Sequence, residues 1–373
     1  MASVNISTKI TLNEFEKSIA VMGSKRTIVG RGEPGIGKST TLYKLGERFP
    51  THKLVYMDCQ LLLDQGDFFY PTIEVTDVGS KVARRVPLED FDFSDGVPVI
   101  IMCDEVGKSN KAVMNVLLTL LYDRRIHNKY LPEGSIVFGT TNLTSDGVGD
   151  FVAAHARSRV ILTTVKKPHV GMGSDGSVDP DGWAHWAFNN GIAPELLAWL
   201  KSNQHAFDSY TDHNGKEKWS NPYAYHPTQG AESYVCPRSM HAVSDICKER
   251  HLLGSELTLS LMAGAAGESF ARDFSAFLVV KDRLTSVEAI VATPEHAAIP
   301  DATDSVALCV MVFNLVTATK TETIKPFVTY MQRLPKEYQA LFARSVMAND
   351  EKQKTAVQCT EFRTWSMANH WMF

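Results

Sequence analysis

The chain has 373 residues, with 38 Lys and Arg against 42 Asp and Glu, a formal net charge of −4, and 44% hydrophobic and 21% charged residues. At about 150 residues per domain, this length implies two or three domains with a full core and no need of staples. The composition excludes collagen-like, disordered and disulfide-scaffold chains, and the slightly acidic total argues against a protein that coats nucleic acid through a general positive field.

The opening run Met1-Ala2-Ser3-Val4-Asn5-Ile6-Ser7-Thr8-Lys9 lacks the basic and then apolar regions of an export signal, so a cytoplasmic location is expected. Short β-rich runs then alternate with helical patterns: Thr27 to Val29, Leu54 to Met57, Val97 to Met102, Ile136 to Phe138 and Arg159 to Leu162. Such alternation predicts a parallel α/β sheet. Before the fourth run, Val113, Val116, Leu117, Leu120 and Leu121 recur at helical spacing and form a stripe that packs on the sheet. Glu89 to Asp95 reads as an exposed acidic and aromatic loop.

Gly171 to Ser177 reads as a turn-rich linker, which places an α/β domain over 1–170 and a helical region over 171–373. Beyond Gly182 helices are expected at Pro194 to Leu200, Met240 to Glu249, Glu268 to Val280, Val306 to Val316 and Glu337 to Val346. The longest apolar stretch, Ser305 to Thr319, falls short of the roughly 20 residues that a bilayer span needs, and reads as a buried core helix. Asp208 to Gly230 is polar and aromatic. Six scattered cysteines without a Cys-x-x-Cys pair, and 12 histidines without metal-binding spacing, point to neither disulfides nor zinc.

The sharpest local signal is Gly32-Glu33-Pro34-Gly35-Ile36-Gly37-Lys38-Ser39, a G-x-x-x-x-G-K-[ST] phosphate loop that follows one strand and opens one helix. Glycines let backbone N–H groups approach phosphate oxygens, Lys38 reaches the β and γ phosphates, and Ser39 offers its hydroxyl to Mg2+. The third strand run ends at Asp104-Glu105. Asp104 is placed to hold the magnesium shell, and Glu105 to polarise a water for in-line attack. Asn142 ends the fourth run beside them and can position that water. Arg157 and Arg159, before the fifth run, could face the γ-phosphate of an adjacent subunit, and Arg238 could fold back on the nucleotide from the helical region.

With these elements in this order the chain resembles AAA+ ATPases, and more narrowly the MoxR family. The likeness extends to Val116 through Arg125, to Tyr130-Leu131-Pro132-Glu133-Gly134, to Trp183 through Ala187, to Gly264 through Glu268 and to Tyr330 through Glu337. The resemblance assigns Walker A to Gly32 through Thr40, Walker B to Asp104 and Glu105, sensor 1 to Asn142, the arginine finger to Arg159 and sensor 2 to Arg238, and it implies an AAA+ P-loop domain with helices on both faces of its sheet over 1–170 and a helical lid with a helical C-terminal extension over 171–373. Two departures stand out: Ser158 precedes Arg159 where the family has Asn, and Val106 through Asn110 replaces the usual Ile-Asn.

The resemblance implies ATP and Mg2+ as ligands, a homo-oligomeric ring of six subunits, and a chaperone-like remodelling role beside a protein with a von Willebrand factor A domain, in a bacterial or phage-infected cytoplasm. Gln65 to Tyr70 falls where this group carries an insertion after the second strand, and its aromatics are either client-gripping or core residues. A nucleotide-gated binding switch and a DNA-directed motor or loader are the alternatives, the latter disfavoured by the charge of −4.

Overall fold

The computed structural model describes residues 9–127, 129–143, 159–173, 177–213, 221–227, 232–281 and 284–372. It divides into two compact units, Met1–Lys167 and Pro168–Phe373. In the first, β1 (Lys9–Ile10) leads into α1 (Leu12–Met22), whose start is fixed by reciprocal hydrogen bonds between Thr11 and Glu14. Next come β2 (Ile28–Arg31), a 3-10 turn at Lys38–Thr40, α2 (Thr41–Arg48) and β3 (Lys53–Asp58). A hairpin of β4 (Phe69–Val75) and β5 (Lys81–Pro87) precedes β6 (Val99–Asp104) and α3 (Lys111–Leu118). A small hairpin, β7 (Arg125–Ile126) with β8 (Lys129–Tyr130), precedes β9 (Ile136–Thr141) and β10 (Ile161–Val165).

Among the described residues the main sheet has six strands in the order β1-β10-β2-β9-β6-β3, with every pair parallel. The chain leaves β2 for the far edge at β3, returns through β6 and β9, and crosses to β10 on the other side of β2. β2 therefore sits at the switch of direction, where open α/β sheets bind ligands at their C-terminal edge.

Side chains alternate across a strand, and this sorts the sheet into two apolar faces. Val99, Ile101 and Cys103 pack with Val113, Val116, Leu117, Leu120 and Leu121, so the expected helical stripe does cover one face. Ile100 and Met102 pack on the other face with Ile136, Phe138, Phe15 and Ile19 of α1, and Leu42 and Leu45 of α2. The next residue in that second series is Asp104. Its alternation thus aims the carboxylate toward the side that carries the phosphate loop.

Strand positions differ from expectation mainly by extension toward the C-terminal edge, where polar residues end the apolar runs. The fifth strand begins at Ile161, leaving Arg159 in the preceding turn. Gly171 to Ser177 is not a loose linker where it is described. Met172 bridges Val178, and Val170 and Met172 are buried. Gly171 has φ +78°, and a Cβ there would lie 2.5 Å from the Gly182 Cα, so two backbones meet where only glycine fits. Glu89 to Asp95 also differs from an exposed loop: Phe91 is buried against Phe68 with ring centroids 5.2 Å apart.

The second unit contains helices around one apolar core, among them Pro194–Ser202, Pro237–Lys248, Glu268–Lys281, Ser305–Thr317 and Lys336–Met347. The expected core helix is buried from Ala307 to Phe313 on all sides. Helices at Trp183–Asn189, Ser255–Ala266, Ile324–Met331, Asp350–Gln358 and Thr360–Ala368 are additional to those expected. In the Asp208 to Gly230 segment, the described Tyr223 is buried against Trp199, with its hydroxyl donating to Asp273 at 2.5 Å. No helix among the described residues is long and apolar enough to cross a membrane.

Candidate active site

The loop after β2 turns on two glycines in the left-handed region, Gly35 at φ +74° and Gly37 at φ +99°. Gly32 has no room for a side chain, since a Cβ would come within 2.8 Å of both Ile36 and the Val165 carbonyl. Glu33 and Ile36 are buried, and Pro34 is half-buried. Thr40 is exposed and its hydroxyl donates to the Gly37 carbonyl at 2.6 Å. Lys38 is buried, and its Nζ donates to the Gly32 and Glu33 carbonyls at 2.8 Å each and to Asn142 Oδ1 at 3.2 Å. The ammonium is thus held against the carbonyls of its own loop, at the start of the 3-10 turn Lys38–Thr40.

Asp104 is the meeting point of the site. Its Oδ2 accepts from Ser39 Oγ and from the Tyr56 hydroxyl, both at 2.9 Å, while its Oδ1 accepts from the Glu105 backbone N–H at 3.0 Å and from Thr140 Oγ1. Burial first, and then Asp104, push the Tyr56 phenol well above the ordinary range, so it stays a donor.

Glu105 takes up a left-handed backbone at φ 51°, ψ 38°, uncommon outside glycine. That turn brings its side chain back toward β9, where Asn142 Nδ2 donates to Oε1 at 2.9 Å. Its other oxygen, Oε2, faces Lys108 Nζ at 3.4 Å as an ion pair but accepts no hydrogen bond. Asn142 therefore joins Lys38 at one end of its amide to Glu105 at the other.

The residues fit a bound nucleotide with Mg2+. A glycine-turned loop with an inward lysine suits phosphate, and Ser39 Oγ beside Asp104 Oδ2 is the hard-oxygen donor set that magnesium prefers. No group of three or more His, Cys, Asp or Glu able to hold a metal occurs among the described residues, so an ion held by this pair would draw its remaining ligands from phosphate oxygens and water.

Residues 31–154 match the family model of the AAA domain, dynein-related subfamily. The N-terminal unit carries an AAA domain. No curated protein matches the sequence. Among solved structures, NtrX from Brucella abortus is similar over 73% of this chain and 68% of that one, at 13% identity and a TM-score of 0.33. The Thermotoga maritima RuvB Holliday junction branch migration motor is similar over 75% of this chain and 78% of that one, at 12% identity and a TM-score of 0.35. At this level of similarity neither carries an argument about the chemistry, which rests on the site.

Within the AAA domain the structure brings together Lys38, Ser39, Asp104, Glu105 and Asn142. Arg159 lies in the same unit, exposed, with its guanidinium 5.2 Å from the centre of the Tyr122 ring. Arg157 lies outside the described residues. Arg238 belongs to the second unit, where it is exposed in the first turn of the helix Pro237–Lys248. Three contacts in the site escape sequence reasoning: Thr140, Tyr56 and Lys108. Thr140 stands in the polar strand end Gly139-Thr140-Thr141-Asn142 and was open to detection on the period-2 rule, two positions before Asn142. Tyr56 carries no such signal, because its meeting with Asp104 depends on which strand pairs with β6.

Proposed function

We propose that this chain is a Mg2+-dependent ATP hydrolase of the MoxR-like AAA+ type, assembling as a ring whose turnover remodels or activates a protein complex. The observation that carries the hydrolytic part is the convergence of Lys38 and Ser39, Asp104 and Glu105, and Asn142 from three separate segments of the chain onto one edge of the sheet. In this reading the Lys38 ammonium leaves its loop carbonyls for the β and γ phosphates, and the loop N–H groups close around them. Magnesium, when bound, neutralises charge on the phosphate oxygens. Asp104 and Ser39 would hold it. The unhydrogen-bonded Oε2 of Glu105 accepts a proton from the attacking water, and Asn142 fixes the direction of that carboxylate.

Arg159 from a neighbouring subunit and Arg238 from the second unit are the proposed cationic partners of the γ-phosphate. Their roles, the ring of six and a partner with a von Willebrand factor A domain rest on the family resemblance. A nucleotide-gated switch is a second reading, favoured by one observation: Lys108 faces the Oε2 oxygen of Glu105 as an ion pair, and its displacement would couple nucleotide binding to a change of conformation.

The discriminating experiment traps the Glu105→Gln chain with ATP and Mg2+ in its native cell and identifies what is retained. Retention of a protein with a von Willebrand factor A domain, lost with Lys38→Ala, is the expected result. Retention of nucleic acid without a protein partner would overturn the remodelling role.

A further inference from the structure

Of the four donors to Asp104, Ser39, Thr140 and the Glu105 N–H belong to the phosphate loop, the facing strand end and the backbone itself. The fourth, the Tyr56 hydroxyl, comes from β3 and has no place in the motifs. β3 pairs with β6 in parallel register, Tyr56 opposite Met102 and Asp58 opposite Asp104, so the phenol reaches along the strand direction to the C-terminal edge. Val55 and Met57 pack on the α3 face, and the period of two sends Tyr56 to the phosphate-loop face. Its ring is half exposed, so it is not a core filler.

Ser39 and Tyr56 share one oxygen, Oδ2. On the reading of the site given above, the Ser39 hydroxyl turns to magnesium when nucleotide is bound, and Tyr56 then remains as the side-chain donor to that oxygen. Magnesium demands near-ideal octahedral geometry and tolerates a swinging carboxylate poorly. A neutral phenol restrains the carboxylate without cancelling its charge, whereas a lysine in the same place would weaken its hold on a cation. We propose that Tyr56 is a positioning residue for the metal carboxylate, holding Asp104 Oδ2 in place and so setting the magnesium requirement of the site.

The test uses Mn2+ as the probe, titrated into the full chain saturated with ADP and followed by electron paramagnetic resonance, for wild type, Tyr56→Phe and Asp104→Asn. The expected result is Mn2+ binding weakened about tenfold in Tyr56→Phe, the low end of effects at such outer positions. ADP binding in EDTA and the unfolding midpoint should stay at wild-type values. In steady state the Mg2+ concentration for half-maximal hydrolysis should rise by the same factor, with kcat at saturating Mg2+ within about twofold. Unchanged Mn2+ affinity in Tyr56→Phe, with Asp104→Asn weakened, would overturn the role of Tyr56 alone. Unchanged affinity in Asp104→Asn would overturn the metal-carboxylate reading and the inference with it.

Discussion

Asn142 shows how much one amide can couple. Its Oδ1 takes the Lys38 ammonium and its Nδ2 holds Glu105, so the groups proposed for phosphate and for water are tied through a single side chain. Removing it cuts both contacts at once. Asn142→Ala should lower kcat by roughly a hundredfold, the scale of losing one preorganised polar group, while nucleotide binding changes far less, as measured by phosphate release and equilibrium titration. The five clustered residues were legible because each stands at a strand end or loop whose type and position are written locally. Tyr56 and Lys108 were not, since one depends on sheet register and the other on the left-handed backbone of Glu105, which no spacing rule foretells.

Elements were legible where an apolar pattern is strong and its residues are buried. β6 reads Val-Ile-Ile-Met-Cys-Asp and is buried throughout, and the stripe from Val113 to Leu121 stays buried through α3 and the π-helical turn Thr119–Asp123 that follows it. The β4–β5 hairpin was not legible: the insertion expected at Gln65 to Tyr70 reaches only its first two residues, most of the hairpin is exposed, and Pro71 interrupts its first strand. At its base the aromatics divide: Phe68 and Phe69 join the core beneath α3, and Tyr70 is exposed. This settles which of them are core residues. Phe68→Ala should cost about 3–5 kcal/mol by denaturant unfolding, whereas Tyr70→Ala should stay within about 0.5 kcal/mol. The extra helices of the second unit were hidden for opposite reasons. Asp350–Gln358 buries little besides Ala356, and Ser255–Ala266 is apolar on more than one side, so neither shows a clean stripe.

At the scale of the whole molecule, an AAA domain is joined to a helical unit with its own core, and buried phenols of that core set how its stability responds to high pH. In the helical unit, burial and then Asp273 push the Tyr223 phenol up to about 12, and burial pushes Tyr330 up to about 12. An unfolded tyrosine ionises near pH 10, so between those values the unfolded chain binds fewer protons than the folded one. Stability from these phenols is therefore full below about pH 10 and falls as pH rises toward 12. Denaturant midpoints should drop across that window, and the Tyr223→Phe, Tyr330→Phe double variant should show a shallower drop.

The proposed chemistry turns on the separation of two roles: Lys38 for holding nucleotide and Glu105 for activating water. Phosphate release from Mg·ATP by the purified full chain, measured beside equilibrium ATP binding for wild type, Lys38→Ala and Glu105→Gln, tests it most directly. The expected result is turnover by wild type, loss of binding with turnover in Lys38→Ala, and ATP binding retained in Glu105→Gln with turnover reduced by about a hundredfold or more. Turnover in Glu105→Gln at the wild-type rate would contradict the assignment of the site.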